Sequence, residues 1–192
     1  MEAKIVDKGV IINGVKWATR NVDKPGTFAA NPKDAGMMYQ LNRKTGWSAT
    51  DPMINSNGGT GWDHTMPKGT EWEKANDPSP EGWRVPTMKE QEALLDTNKV
   101  NQEWTTENGI NGTRFTDKIT DNSIFMPAAG YRNTGYRQDA NGKLIDAGSC
   151  GYYWSRDKID DSLAWSLHAC KTKAKWGSDN SYSGFSVRPV GE

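Results

Sequence analysis

Nine tryptophans stand in a chain of 192 residues that has only 27 Leu, Ile, Val and Phe together. That scarcity of aliphatic side chains lies below the mark associated with disorder. Disorder also needs a high net charge, and here 24 Lys and Arg balance 24 Asp and Glu. Each aromatic side chain buries roughly 150–250 Å², so nine indoles with six Tyr and seven Met replace the missing aliphatics. The chain is therefore expected to form one Trp-rich, loop-rich domain over residues 1–192.

Charge balance excludes a generic polyanion binder, because phosphate-dominated affinity needs an excess of cations; no nucleic-acid partner is expected. A net charge of zero with a pI near 6.7 leaves little colloidal repulsion and is compatible with a homo-oligomer. No run approaches the ~18 apolar residues of a membrane span, so no membrane insertion is expected. The opening residues Met1–Lys8 lack a basic start, an apolar run and a cleavage site. Either the chain is made without a signal peptide or it begins at the mature protein. Cys150 and Cys170 are too few for a zinc knuckle or a disulfide scaffold. A single bridge between them is open, with two free thiols the expected state.

Gly, Asn, Asp, Ser and Thr are spread along the whole chain, as in short strands joined by many turns. Asn13-Gly14 between Ile11-Ile12 and Val15 signals a two-residue hairpin. Residues 45–80 are long and irregular, and Trp47, Trp62 and Trp72 within them predict a loop packed by its own side chains. Thr87-Met88-Lys89-Glu90 spells a capping box opening a helix, with Pro86 setting its entry. A second, shorter helix is expected around Lys33–Gln40. Strand signals follow at 124–126, 151–154, 163–169 and 185–190. The fold class expected is α+β: two helices, short antiparallel strands and long irregular loops.

Few motifs carry chemistry. Aligning Gly142 of Asp139–Leu144 with the glycine of a calcium loop puts Arg137 and Gly148 at the end ligands, so an Asn-Gly turn is the better reading. With only His64 and His168, a histidine metal triad is impossible; neither a phosphate loop nor a nucleophile elbow occurs. No cofactor or metal is called for. His168 and Cys170 share one side of a strand, but nothing nearby supplies an orienting acid or an oxyanion hole, so no catalytic residue is assigned. From 163 to 170, apolar odd positions alternate with small or polar even ones, which predicts odd side in and even side out. Lys171–Tyr182 beyond it is heterogeneous. Trp176 and Tyr182 offer rigid contact area, and Lys, Ser and Asn offer adaptable hydrogen bonds.

Val15–Val22, Pro25–Ala29, Asn76–Thr87, Met126–Arg132, Tyr152–Ser155 and Ser186–Val190 occur in this order. Together they resemble the FISUMP (major paralogous domain) family over nearly the whole chain. The resemblance implies a C-type-lectin-like fold related to the formylglycine-generating enzymes. The Gly82–Thr87 run is similar to the helix start of those enzymes. Their catalytic cysteine context is not recognisable here, so activity does not carry over and a thiol-dependent enzyme is the least favoured reading. Ser79 stands where many members have Cys, which excludes a disulfide there. Many members are lipoproteins, whereas no lipobox is present.

A subset of such domains resembles the variable proteins of diversity-generating retroelements, rewritten between a Tyr-Trp-Ser motif and a terminal Ser-Val-Arg-Pro-Val motif. Tyr153-Trp154-Ser155 and Ser186–Val190 bracket such a segment, giving residues 152–190 as a candidate variable region. The resemblance implies a non-enzymatic display protein on a phage tail or bacterial surface, with an unknown cell-surface protein or glycan as ligand. An undiversified surface or adhesive FISUMP protein is the alternative. Trp154, Leu167 and Val187 would hold the frame. Arg156, Lys158, Ser166, His168, Cys170, Lys173, Lys175, Trp176, Ser178, Asp179, Tyr182 and Phe185 would contact ligand. The reading requires His168 and Lys173 at the surface.

Overall fold

The computed structural model describes residues 4–133 and 141–192. Local chemistry accounts for how the chain starts. Strands β1 (Val10–Ile12) and β2 (Val15–Trp17) pair antiparallel, Ile12 opposite Val15. Between them Asn13 and Gly14 both take positive φ, the two-residue turn that matches strand twist. β3 (Met37–Tyr39) and β4 (Gly46–Ser48) follow, and then β5 (Trp83–Arg84). The expected helix at 33–40 is replaced by β3. Gly36 sits at φ +67° with its backbone against the Val22 carbonyl, where a Cβ would lie 2.1 Å away. A helical φ is therefore unavailable at that point, and the segment docks on residues 21–22 instead.

The capping box opens helix α1 (Met88–Leu95). The Thr87 hydroxyl accepts from the Glu90 N–H, and the Glu90 carboxylate accepts from the Thr87 N–H. Downstream come β6 (Val100–Glu107), β7 (Ile110–Asp117), β8 (Ser123–Pro127), β9 (Tyr131–Asn133) and β10 (Lys143–Ile145). The chain ends through β11 (Cys150–Lys158), β12 (Leu163–Cys170), β13 (Ala174–Asn180), β14 (Phe185–Ser186) and β15 (Val190–Gly191). Asn133 pairs with Lys143, so Asn141-Gly142 does not form a two-residue turn. Arg137, Asp139 and Ala140 of the calcium-loop reading lie outside the described residues.

Among the described residues there are fifteen strands in four sheets and one α-helix. The α+β, two-helix, C-type-lectin-like architecture is thus corrected to a mostly β one. The largest sheet has the order β13-β12-β11-β14-β3-β4, with β13 at a free edge. Two apolar cores lie against it. On one face Tyr153, Leu167 and Ala169 pack with Trp17, Leu94, Phe115 and Met126. On the other, Trp154, Ala164 and Phe185 pack with Tyr39, Trp72 and Val187. Indoles therefore fill space on both sides, as the composition requires. In the 45–80 stretch Trp47, Trp62 and Trp72 are all buried, the first two in ring contact at 4.8 Å.

Two buried arginines staple loops to this frame. Arg132 donates to the carbonyls of Ser48, Thr50 and Gly142, each at 2.7 Å. Arg188 donates to Asn21 Oδ1 and to the carbonyls of Ala18 and Phe125, and burial pulls its pKa down to about 10. No helix among the described residues is long and apolar enough to cross a membrane.

Candidate functional site: the β12–β13 face

The alternation in β12 is real, but both of its faces are covered. β11 and β12 pair with Tyr153 opposite Leu167, Trp154 opposite Ser166 and Tyr152 opposite His168. Side chains of opposed residues share a face, so the even positions of β12 look toward Trp154 and Phe185, which stack at 4.1 Å. Two of the proposed contact residues are consequently interior. Ser166 and Phe185 are both 0% exposed, because the even face lies on the second core rather than in water. Ser183 is buried as well, while Leu163 and Trp165 of the nominal inner face are only half-buried. Trp154, Leu167 and Val187 are fully buried, as their framing role demands.

Toward the edge strand the even face opens. β13 pairs with β12 through Gly177 opposite Ser166, Lys175 opposite His168 and Asp179 opposite Ala164. The Asp179 carboxylate accepts from the Ser166 hydroxyl at 2.5 Å and meets His168 Nε2 at 2.7 Å. His168 is thereby mostly covered, its side chain 14% exposed against 24% for Asp179. The expectation of a freely exposed His168 is corrected, whereas Lys173, Lys175 and Ser178 are exposed. The imidazole fits only because Gly177 lacks a side chain: a Cβ there would lie 2.0 Å from His168 Nε2. Ser166 and His168 meet the same Asp179 oxygen rather than each other, so no nucleophile–base relay is assembled.

Two tyrosines extend this patch. Tyr152 and Tyr131 rings lie 4.6 Å apart, and Tyr152 contacts the His168 ring at 4.5 Å. The Tyr152 hydroxyl donates to Asp146 Oδ2 at 2.7 Å. Burial, followed by the Asp146 hydrogen bond and charge, pushes the Tyr152 phenol well above the usual 10. Burial and the charges of Asp146 and Asp179 raise Tyr131 in the same sense. Both phenols are hence neutral hydrogen-bonding groups at neutral pH. Sequence reasoning used Tyr152 only as part of a bracket; no sequence signal placed it in the site, because its position opposite His168 is set by the pairing of β11 with β12.

The remaining predicted residues divide. Trp176 is half-buried, edge-on to Trp165 at 6.3 Å, and lies on the opposite face of the same strand, beside Ala93 and Leu95 of α1. Tyr182 is half-buried, and its carbonyl accepts from Gln40. Lys158 is not a free cation, since its ammonium donates to the carbonyls of Pro67, Gly69 and Asp161. Arg156 is 28% exposed and paired with Glu71 at 3.1 Å, facing a different cleft. Cys170 is bonded to Cys150, its direct register partner. That overturns the expectation of two free thiols: antiparallel pairing brings both sulfurs to the same side at the end of the hairpin. No thiolate–imidazolium contact with His168 remains. Among the described residues no cluster of three or more His, Cys, Asp or Glu side chains is placed to hold a metal.

The arrangement thus offers a solvent-facing strip of mixed chemistry: ammonium groups from Lys173 and Lys175, the carboxylates of Asp146 and Asp179, and two phenol rings in tilted contact; Ser178, opposite Trp165, projects from the other face with Trp176. No family model matches the chain, and no curated protein or solved structure is found to be similar to it.

Proposed function

We propose that this chain is a non-enzymatic ligand-binding display protein of the FISUMP type. Its contact surface is the β12–β13 face together with the Tyr131–Tyr152 pair. One observation carries the reading: between the two bracketing motifs, the side chains of Lys175 on the edge strand and Lys173 just before it face solvent, while the brackets themselves, Trp154 and Val187, are in the cores. Exposed positions of that kind can be replaced at little cost in stability, commonly within about 0.5 kcal/mol. Such a division suits a surface rewritten by a diversity-generating retroelement. The Cys150–Cys170 bridge supports a site of action outside the reducing cytoplasm, in keeping with a virion or bacterial surface.

Whole-cell binding to a bacterial panel tests this, using wild type and a Lys173→Ala/Lys175→Ala variant. Loss of cell binding with an unchanged melting temperature is expected; undiminished binding overturns the assignment of this face. The coding DNA tests diversification separately. A neighbouring repeat differing only at template adenines is expected, and substitutions spread evenly over the gene among close relatives would remove that part of the proposal.

A further inference from the structure

A second concavity lies away from the β12–β13 face; of its lining residues only Arg156 was among the predicted ligand contacts. A cleft of about 610 Å³ opens beside β5, with Arg156 of β11 and the end of the chain at Glu192 among its walls. Clefts of this size are typical of small-molecule sites. Its charges are nearly matched. Lys44, Lys74, Arg84 and Arg156 line it together with Asp77, Glu81 and Glu192. Most of these are held in place by partners. Arg84 clasps Glu90 through two bonds of 2.9 and 2.6 Å, Arg156 meets Glu71, and Lys74 meets Glu192 at 3.3 Å. Asp77 is fixed by the backbone N–H groups of Ser79 and Val85.

This pattern discriminates among ligand classes. A phosphate or sulfate would face three carboxylates, and an organic cation would face four cationic groups. An uncharged polyol meets neither penalty, because each hydroxyl both donates and accepts and so matches alternating guanidinium and carboxylate groups. Trp83 adds a flat apolar surface. Its ring is held by the edge of Phe28 at 5.7 Å and by the Lys16 ammonium over the ring at 5.2 Å, yet it still lines the cleft. Rigid aromatic surface beside convergent polar groups is the chemistry that takes up the C–H face and the hydroxyls of a sugar.

We infer that this cleft binds a neutral saccharide, independently of the β12–β13 face. The test is binding of the full chain to immobilised neutral oligosaccharides, with sialylated and sulfated ones alongside, followed by solution titration of whichever neutral glycan is retained. Trp83→Ala and Arg156→Leu should each weaken that affinity at least tenfold. Arg156→Leu keeps the test decisive if Trp83→Ala fails to fold, because the Arg156 side chain is partly solvent-facing. Absence of any neutral-glycan binding at millimolar concentration overturns the inference. So does selective capture of the sialylated or sulfated glycans, or retention of affinity in the folded variants. Loss of glycan binding in the Lys173→Ala/Lys175→Ala variant alone, with Trp83→Ala unaffected, would move the sugar to the other surface and equally overturn the cleft assignment.

Discussion

At the scale of single residues, the β12–β13 face depends on a void. Gly177 stands opposite Ser166, and the space its missing side chain leaves is filled by the His168 ring. A methyl group there must push the imidazole off Asp179, so Gly177→Ala is expected to destabilise the protein by about 1–3 kcal/mol, the usual cost of overpacking. Because the three atoms nearest to that methyl all belong to His168, the penalty should largely vanish in a His168→Ala background. A double-mutant cycle by urea unfolding measures this; strictly additive effects would show that the two positions are not coupled. The same spot shows where residue-level reading stops. Alternation correctly put His168 and Ser166 on the face opposite Leu167. It carried no information about what covers that face, and Trp154, Tyr152 and Asp179 do so from other strands.

Elements whose signals are local were the most legible. The Asn13-Gly14 hairpin and the Thr87–Glu90 helix start were readable because each is specified by contacts between residues at most a few positions apart. The helix expected at 33–40 failed for a nonlocal reason: the Gly36 backbone abuts Val22, a neighbour no local pattern names. The cap itself makes a pH-dependent prediction. Burial alone would raise the Glu90 carboxyl, but the Arg84 guanidinium and the Thr87 N–H outweigh it and hold the pKa below 4.5. A carboxyl depressed on folding contributes stability above its unfolded pKa, and that contribution fades as pH falls through the folded value. Glu90→Gln should therefore cost about 1–3 kcal/mol at pH 7, within the range for charge-assisted hydrogen bonds. Its deficit relative to wild type should shrink as the pH drops below about 4, approaching the pKa of an ordinary carboxyl. Urea midpoints at pH 7 and pH 3 compare the two; a deficit of equal size at both values would contradict the account.

For the molecule as a whole, stability is shared between two cores on opposite faces of one six-stranded sheet, tied at the β11–β12 end by the only covalent cross-link among the described residues. That bridge closes a loop with a sequence separation of 20, for which chain-entropy reasoning gives about 3 kcal/mol. Cys150→Ser/Cys170→Ser, or reduction of wild type, is expected to lower stability by about 2–4 kcal/mol, and reductant should leave the double variant unchanged. Calorimetric melting with and without reductant is the check; equal melting of wild type in both conditions would show that the bridge adds nothing.

From its sequence alone this chain specifies the kinds of things it is made of: an indole-filled interior, polar turns at close spacing, one capped helix, and an alternating strand before a chemically mixed tail. These follow from composition and from interactions within a few residues of one another. Tertiary structure decided the rest: that the six-stranded sheet is covered on both faces, that Cys150 meets Cys170, that Asp179 captures both Ser166 and His168, and that a charge-balanced cleft opens beside β5. Each of these depends on the register between strands far apart in the chain, and register is set by the packing of the assembled sheets rather than by any single segment.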